Sequence, residues 1–463
     1  MQKDAKRAEP TRRDVLAGAG AAVALALAPG ANAQSLGPGP LAGDRVILTN
    51  EDSCTLSVID PTVDRMLTTI NLTSFDEDPR PPFRFVTGGM VPSHGAMLQK
   101  PLYHGAISIH GCVPSPDSRL FATTGRGTSN VYLIDAATLK VLGNRPNPQA
   151  GGTTNPEVMT SGIFVGREPH EPTFTPTGKE LWVAVRGEDR IAVIDVAKAL
   201  KETAGEAPLG SSILRFIPTM PGPAMVWFAK GGHTALVISQ KVPRIDVFTV
   251  SYDANGFSSV HRKTTLDIAG QDRFGFSPFL KRSPDGGEMW VSHKLADAVS
   301  ILAVGSGDSR FTDTIPLGDR SRPNHVEFVD NGNGRVAYVT FARIDDDGPR
   351  GVASSRIAIV DRSAPPGQRK VVGHLFSNGR EAHGIWLDPS ATKLYVAHEQ
   401  DELPGTPNGG QTVCTAFDVT DPFRPKLLAQ IPLGDLELPS GRLRNKKSIN
   451  LVYVRPGAPS ATA

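Results

Sequence analysis

Residues 167–195, REPHEPTFTPTGKELWVAVRGEDRIAVID, contain three short strands joined by two tight turns. Residues 176–179 have the composition of a turn, and residues 181–185 are too short and too rich in valine to favour a helix. Residues 186–189 make the second turn, and residues 191–194 are a further strand. The segment before the first turn alternates as a strand that opens with a histidine. This stretch therefore predicts a three-stranded β-meander.

The same strand–turn–strand pattern recurs along the chain. Aligned on the first turn and the closing aspartate, the repeats occupy residues 44–72, 107–142, 165–217, 221–268, 276–317, 323–376 and 382–433. Most have roughly 40 to 55 residues, the range expected of propeller blades. The first repeat lacks its opening strand, and residues 448–454 form a strand left over after the last repeat. Pairing these two segments would close a ring and remove both sheet edges. The chain is therefore predicted to be all-β, a seven-bladed β-propeller closed by a C-terminal strand that completes the first blade.

The N-terminal segment has the features of an export signal. The sequence TRRDVL at residues 11–16 precedes a weakly apolar run at 17–28, and Ala-Asn-Ala follows at 31–33. A basic segment, a short apolar run and an A-x-A site are typical of a signal peptide, and the paired arginines indicate the twin-arginine type. We therefore predict a signal peptide over 1–33, a single propeller domain over 34–463, and a periplasmic location.

The charge balance limits the class of partner. Residues 1–33 contain five of the 49 basic and three of the 47 acidic residues, so 44 of each remain after their removal. A balanced chain has no field that attracts nucleic acid or an anionic membrane. No later apolar run is long enough to cross a bilayer. We expect no nucleic acid, no membrane insertion and a monomer.

The three cysteines, Cys54, Cys112 and Cys414, contain no CxxC pair, which excludes a zinc ribbon or a thioredoxin-like motif. An odd number of cysteines in an oxidising compartment leaves at least one free thiol. Cys54 and Cys414 fall on outer strands of repeats that would be neighbours in the ring. A disulfide between them is compatible with the fold, and the sequence leaves its presence open.

Four segments resemble the YVTN family of β-propeller repeat proteins: PHEPTFTPTGKELWVAV (169–185), RIAVID (190–195), AYVT (337–340) and LYVAH (394–398). The resemblance covers essentially the whole chain after residue 33. It implies the propeller fold and a periplasmic or surface protein. It implies no single reaction, because similar propellers include lactonases, the haem d1 domain of nitrite reductases and the copper domain of nitrous oxide reductase.

Histidines recur at one position of the repeat, six residues before the first turn, where the innermost strand begins at one mouth of the central channel. In ring order this axial position holds His325, His383, Asn450, His110, His170, Ala224 and Pro278. Four imidazoles from nearby blades could hold copper, iron or zinc with open coordination positions. We therefore predict a transition-metal site, or a site for the polar end of a non-covalent cofactor, at His110, His170, His325 and His383. The alternative is a structural role, in which each histidine donates to a carbonyl of the next blade.

Basic residues follow the second strand of several repeats at the same mouth. Arg126, Arg186, Lys241 and Arg343 could together clamp the carboxylate or phosphate of a ligand or cofactor. The same turns also hold Asn50, Glu51, His293, Lys294, His398 and Glu399.

Long connections are predicted to emerge at this mouth as well, at residues 73–106, 144–162, 343–354 and 399–411. Long loops in a compact fold usually serve function. Residues 197–212 are predicted to form a short helix and a linker. Cys112, two residues after His110, could be a soft extra ligand, although a small buried hydrophobe is its more common role.

These features favour two classes of function. The first is an exported protein whose histidine-rich mouth binds a metal, a cofactor or a small anionic ligand, in the role of a redox enzyme or a cofactor-handling protein. The second is a non-catalytic module that presents this mouth to a small molecule or a periplasmic partner protein. A lactonase-like hydrolase ranks third, because no carboxylate occupies the axial positions to bind calcium. The chain has no GxSxG, P-loop, dinucleotide-binding, CxxCH or HExxH motif, which excludes a covalently attached c-type haem.

Overall fold

The computed structural model describes residues 37–72, 108–127, 129–142, 162–208, 210–304, 309–438 and 441–458. The predicted signal peptide, the insertion at 73–106 and the loop at 144–161 lie outside the described residues. The described residues form seven antiparallel sheets arranged as blades, together with a separate two-stranded hairpin.

The strands follow the predicted repeats closely. Blade 1 contains β1 (Arg45–Asn50), β2 (Thr55–Asp60) and β3 (Arg65–Asn71). Blade 2 contains β4 (Ile109–Pro114), β5 (Leu120–Gly125), β6 (Asn130–Asp135), β7 (Val141–Leu142) and β8 (Ile163–Phe164). Blade 3 contains β9 (Pro169–Phe174), β10 (Glu180–Val185), β11 (Arg190–Asp195) and β12 (Ile213–Pro218). Blade 4 contains β13 (Pro223–Phe228), β14 (Thr234–Ser239), β15 (Arg244–Tyr252) and β16 (Ser258–Asp267).

The remaining blades have the same organisation. Blade 5 contains β17 (Leu280–Arg282), β18 (Glu288–His293), β19 (Ala298–Val304) and β20 (Ser309–Pro316). Blade 6 contains β21 (Pro323–Asp330), β22 (Arg335–Asp345), β23 (Ser354–Asp361) and β24 (Val371–Phe376). Blade 7 contains β25 (Arg380–Leu387), β26 (Lys393–Gln400), β27 (Val413–Asp418) and β28 (Lys426–Pro432). The hairpin of β29 (Asp435–Leu438) and β30 (Gly441–Arg444) leads to the last strand, β31 (Ser448–Val454).

Burial within each blade falls from the innermost strand outward. Every residue of β9, β10 and β13 is buried, whereas β12 and β28 are largely half-exposed or exposed. Strands covered on both faces read as continuous apolar runs. This explains the LWVAV sequence of β10, which lies between its neighbours in blade 3 and packs against blade 4, with the Trp182 and Phe228 rings 5.0 Å apart.

The last strand closes the ring, as the sequence predicts. β31 pairs antiparallel with β1, with Val46 opposite Tyr453 and Leu48 opposite Leu451. It becomes the innermost strand of blade 1, in the order β3-β2-β1-β31. The seven-bladed β-propeller and its C-terminal closure are therefore confirmed.

One short helix interrupts the strands, α1 (Val196–Thr203), where the sequence predicts a helix and linker. It begins at Asp195, whose carboxylate accepts a hydrogen bond from the Lys198 N–H, as expected of an N-cap. Single 3-10 turns occur at Arg186–Glu188 and Pro349–Gly351. The predicted loop at 343–354 is shorter than expected, because β22 continues to Asp345.

Cys54, Cys112 and Cys414 are all buried free thiols, so the Cys54–Cys414 disulfide is not formed. Among the described residues, no helix has both the length and the apolar character needed to cross a membrane.

Candidate functional site

The four predicted histidines meet at one end of the channel. His110, His170, His325 and His383 all line a cavity of about 260 Å³, the axial cavity. Each is buried, with exposed fractions of 3–7%. Two apolar residues of blade 5, Phe276 and Pro278, form part of the wall.

Each histidine lies in a β-bulge of its innermost strand. A bulge places two residues opposite one on the neighbouring strand and re-aims the side chains. The four pairs are His110 and Gly111 opposite Thr124, His170 and Glu171 opposite Ala184, Asn324 and His325 opposite Thr340, and His383 and Gly384 opposite Ala397. The repeated bulge therefore brings all four imidazoles to the same mouth, with His325 second in its pair and the other three histidines first.

Threonine hydroxyls satisfy backbone groups at these bulges and join adjacent blades. Thr124 Oγ1 accepts a hydrogen bond from the Gly111 N–H at 2.9 Å and donates to the His170 carbonyl at 2.7 Å. Thr340 makes the equivalent contacts with the His325 N–H and the His383 carbonyl, at 3.0 and 2.6 Å. These hydroxyls fix the backbone of the histidine positions, because a buried N–H or C=O needs a partner.

The histidines form two pairs. The His110 and His170 rings are 4.1 Å apart between centroids, and the His325 and His383 rings are 4.7 Å apart. The ring of Phe279 stacks on His325 at 3.8 Å. The arrangement is therefore two neighbouring pairs on separate sides of the cavity wall.

A second layer of residues, the outer ring, lies next to the histidines. Each member lies near the end of the second strand of its blade or directly after it, and six donate their backbone N–H to the carbonyl of a residue that precedes the innermost strand. These bonds are Glu51 to Lys447, Arg126 to Ser108, Arg186 to Glu168, Gln240 to Gly222, Lys294 to Phe276, and Ala342 to Arg322. In blade 7 the equivalent residue is Glu399, which follows the Ala382–His398 pair of the sheet. Apart from Ala342, all members of the outer ring line the axial cavity.

Of the four basic residues predicted to form a clamp, the structure places two in the cavity. Arg126 and Arg186 line it, whereas Lys241 and Arg343 are exposed and lie outside it. Lys241 is one residue beyond Gln240, in the bend after β14, where its N–H donates to Ser239 Oγ and its ammonium donates to the Arg186 carbonyl. Arg343 is likewise one residue beyond Ala342 and pairs with Asp345 at 2.7 Å. The basic groups that complete the lining are Lys294 and Lys447.

Glu51 is held between cations at the blade 1 side. Its carboxylate lies 3.1 Å from Arg126 Nη1 and 2.5 Å from Lys447 Nζ, and it accepts a hydrogen bond from Ser108 Oγ at 3.0 Å. Its side chain is almost completely buried. A buried carboxylate needs such partners, so Glu51 fixes the positions of Arg126 and Lys447 in the wall.

A hydrogen-bond chain orients His170. Arg186 donates to the Gln240 side-chain oxygen and pairs with Glu168 at 3.3 Å. Because guanidinium groups only donate, the Gln240 amide nitrogen faces His170 Nε2, 3.1 Å away. His170 Nε2 therefore accepts, and the ring proton lies on Nδ1.

His170, His325 and His383 are neutral in this setting. Burial lowers the pKa of His170 well below its usual value, and Arg126 and Arg186 lower it further. Burial also lowers the pKa of His325, and the neighbouring His383 lowers it further. Burial likewise lowers the pKa of His383, to which Lys294 adds a smaller effect. Neutral imidazoles can donate at one ring nitrogen and accept at the other.

A carboxyl group capable of proton transfer lies beside His383. Glu399 Oε1 is 3.3 Å from His383 Nε2. Burial, together with Glu381, raises the pKa of Glu399 to about 7, against the opposing charges of Lys294 and Lys447. Burial lowers the pKa of Lys294. An acid whose pKa lies near neutrality suits general acid–base chemistry.

The residues with the spacing of a metal site differ from the predicted set. Within the part of the chain that the structure describes, one buried group of metal-ligating side chains has its ligand atoms within 4.8 Å of one another, namely His110, His170 and Glu171. His325 and His383 are not members. Glu171 was missed from the sequence, although it stands next to His170. Burial strongly raises the pKa of the Cys112 thiol, which disfavours the thiolate that a metal would need.

Comparisons with known proteins agree on the fold. Residues 164–339 match the family model described as "Lactonase, 7-bladed beta-propeller". No curated protein matches the sequence significantly. A functionally unknown protein of Desulfotomaculum acetoxidans superposes with a TM-score of 0.56 at 10% identity, over 89% of this chain and 99% of that one. A candidate 6-phosphogluconolactonase of Bacteroides fragilis gives 0.56 at 14% identity, over 90% and 100%.

Hydrazine synthase of Kuenenia stuttgartiensis superposes with a TM-score of 0.51 at 16% identity, over 76% of this chain and 96% of that one. At these identities the likeness concerns the fold alone. The described residues thus form a seven-bladed β-propeller of the architecture that lactonase-type propellers share, and the specific resemblance to the YVTN family stays a prediction.

Proposed function

We propose that this protein binds a small organic anion in the axial cavity. The supporting observation is the composition of the cavity wall, in which four basic side chains face two carboxylates. The basic residues are Arg126, Arg186, Lys294 and Lys447, and the acidic residues are Glu51 and Glu399. A concave site with an excess of one charge concentrates ligands of the opposite charge.

Lys294 and Arg186 are placed for the anionic group. No carboxylate of the described residues lies within 4 Å of the Lys294 ammonium, so its charge is available to a ligand. Arg186 is held by Glu168 and Gln240 at the edge of the cavity. A planar guanidinium held in this way matches a carboxylate or phosphate, whose oxygens it can bind in pairs.

The imidazoles of His170, His325 and His383, which are neutral, and the apolar wall define the rest of the ligand. Imidazoles that both donate and accept suit hydroxyl groups, and Phe276 and Pro278 suit a hydrocarbon face. We infer that the preferred ligand is a hydroxylated carboxylic acid or a sugar phosphate, rather than a bare inorganic anion.

Calorimetric titration tests this proposal. Purified protein is titrated with phosphate, citrate, gluconate and 6-phosphogluconate, and the tightest ligand is then titrated into the Arg186→Ala and Lys241→Ala variants. Loss of a charge-assisted hydrogen bond of about 1.5–3 kcal/mol should weaken binding about 10- to 100-fold for Arg186→Ala. Lys241→Ala, which removes a basic group nearby but outside the cavity, should have no effect. Equal effects of the two variants, or no binding at millimolar concentration, would refute the proposal and leave the partner-protein interpretation.

A second candidate is hydrolysis of a lactone. The observation that favours it is the His383–Glu399 pair, which can take a proton from water and return it to a leaving oxygen. The lactonase family match and the candidate 6-phosphogluconolactonase among similar structures are consistent with it. Two carboxyl groups, Glu51 and Glu399, line the cavity, although neither occupies an axial position. Acid release from glucono-1,5-lactone above the spontaneous rate, abolished in Glu399→Gln, would support this activity.

We further propose export to the periplasm by the twin-arginine route, on the sequence of residues 11–33 alone. Fractionation of cells that express the wild type and an Arg12→Lys/Arg13→Lys variant tests it. The variant should remain in the cytoplasm, and periplasmic protein in both strains would exclude this route. Elemental analysis and an absorption spectrum of the periplasmic protein test the predicted copper, iron or cofactor.

A further inference from the structure

Glu171 lies directly beneath the first histidine pair. Its Oε1 is 3.3 Å from His110 Nδ1 and 3.9 Å from His170 Nδ1. All three side chains are buried, with Glu171 only 2% exposed. Two ligands of a tetrahedral ion at about 2.1 Å are about 3.4 Å apart, so one of these separations already fits and the other needs a small movement.

The carboxylate of Glu171 is held by groups from two other blades. Asn450 Nδ2 of blade 1 donates to Oε2 at 3.2 Å, which leaves Oε1 facing the imidazoles. Gly111 of blade 2 leaves room for the carboxylate, because a Cβ atom at residue 111 would lie 2.4 Å from Oε2. An orienting hydrogen bond to the second oxygen is typical of ligating carboxylates.

No basic side chain of the described residues other than the two imidazoles lies within ion-pair distance of Glu171, and Arg126 acts on its charge only from further away. A buried carboxylate is costly unless it is paired or coordinates a cation. Glu51, by contrast, has Arg126 and Lys447.

We propose that His110, His170 and Glu171 bind a divalent transition-metal ion, of the zinc class, at the inner end of the axial cavity. Two imidazoles and a carboxylate are a ligand set that zinc uses where a fourth position stays open. His110 and His170 line the cavity, so the open position faces bound ligand or water. His325 and His383 do not ligate the ion. This site does not depend on the proposed anion.

Gln240 provides a second test of the metal site, because its side chain contacts His170. Ligation through Nδ1 of His170 requires the ring proton on Nε2, which Gln240 must then accept. In the described arrangement the Gln240 nitrogen faces Nε2 and its oxygen faces Arg186. Metal binding must therefore turn the amide and release Arg186. A carboxylate at residue 240 would accept from both His170 and Arg186, so Gln240→Glu should favour the metal-bound form.

Calorimetry with zinc, and visible absorption with cobalt(II), test the site on the full chain without an affinity tag. We expect one ion per chain. Glu171→Gln and His110→Ala should weaken zinc binding at least about 10-fold, and Gln240→Glu should strengthen it about 10-fold. His325→Ala is the control, because it removes a buried histidine of the other pair, and it should leave the affinity unchanged.

An equal loss of zinc affinity in His325→Ala and His110→Ala would contradict this site and indicate that all four histidines bind the ion. No binding of zinc, cobalt(II) or copper(II) by the wild type would refute any metal at the site. Circular dichroism confirms folding, and Glu171→Gln keeps the side-chain shape if His110→Ala fails to fold. Anion binding is measured separately, by titration of metal-free protein. Absence of metal binding would therefore leave the proposed anion binding intact, and absence of anion binding would leave the metal site intact.

Discussion

Glu399 shows how one buried carboxyl group links the site to stability. Its pKa of about 7 in the folded protein exceeds the ordinary value of 4.5, because burial and Glu381 disfavour the charged form. The folded protein therefore holds a proton that the unfolded chain has lost between these two values. Folding becomes less favourable as the pH rises from about 4.5 to about 7, and the loss persists above pH 7.

Replacing Glu399 with Gln removes this effect. We expect the free energy of unfolding of Glu399→Gln, relative to wild type, to rise by about 1–3 kcal/mol between pH 4.5 and pH 8, from about 1.4 kcal/mol per pKa unit. Denaturant unfolding at several pH values measures it. Glu437→Gln, at a carboxylate that is 72% exposed, is the control and should show no such trend. A constant difference across this range would mean that folding does not raise the pKa of Glu399.

Gly111 is constrained by the neighbouring blade. A Cβ atom there would meet Glu171 Oε2 at 2.4 Å, the His170 carbonyl at 2.5 Å and Pro172 Cδ at 2.7 Å. Gly111→Ala should therefore destabilise the protein by about 1–3 kcal/mol, because backbone must move. Gly373→Ala, where the nearest atom is 3.8 Å away, should be close to neutral in the same denaturant titration. Equal stability of the two variants would show that blades 2 and 3 can separate at this point.

At the residue scale, the sequence predicted the axial histidines but not Glu171. In a regular strand His170 and Glu171 would point to opposite faces. The bulge opposite Ala184 brings both to one site, and nothing in the local residue pattern signals a bulge. The repeat pattern therefore predicted the histidines, whereas the regular alternation of a strand would have placed Glu171 on the opposite face.

The bulge and its threonine form the structural element that shapes the site. Thr124 is completely buried and is the partner of one N–H and one carbonyl from two blades. Thr124→Val keeps the shape and removes both hydrogen bonds. Leaving buried polar groups unpaired costs about 1–3 kcal/mol, so thermal unfolding should occur at lower temperature. Thr68→Val, on the exposed face of β3, should have no comparable effect. If both variants melt alike, the hydroxyl does not lock the blades.

The element scale also explains why only two of the four basic residues predicted to form a clamp line the cavity. Arg126 and Arg186 directly follow six-residue strands, so the end of the apolar run marks the position. In blade 4 the cavity-facing residue is Gln240, and the more conspicuous Lys241 is one residue further. In blade 6, β22 continues to Asp345, so no turn marks Ala342. Within β22, where Ala342 and Arg343 are extended, a shift of one residue exchanges the two sides of the strand.

For the whole molecule, the decisive feature is ring closure by β31. All seven residues of β31 are buried, and its loss would expose the edge of β1 and the flank of blade 7. Deletion of residues 448–463 should abolish the cooperative thermal transition, because both faces of the opened ring lose their partners. Deletion of residues 459–463 alone, which spares β31, is the control. A native transition in the longer truncation would show that the ring is stable when open.

The overall architecture was predictable because each of the seven repeats independently indicates the same blade. A misread irregular repeat, such as that of blade 4, does not change the prediction, because the other six agree. The axial residues were predictable for the same reason, since their position was counted from the first turn of each repeat in the same way. Contacts between blades have no such repetition, and the Glu51–Arg126–Lys447 ion pairs join segments almost 400 residues apart in the sequence.

Ring closure also imposes an order in time on the site. Lys447 and Asn450 lie on or beside the strand that is synthesised after all seven repeats, yet they hold Glu51 and Glu171 in place. A growing chain can build six complete blades and still lack both supports. The proposed anion and metal sites would therefore gain these two supports only after residues 447–450 have been synthesised and β31 has paired with β1.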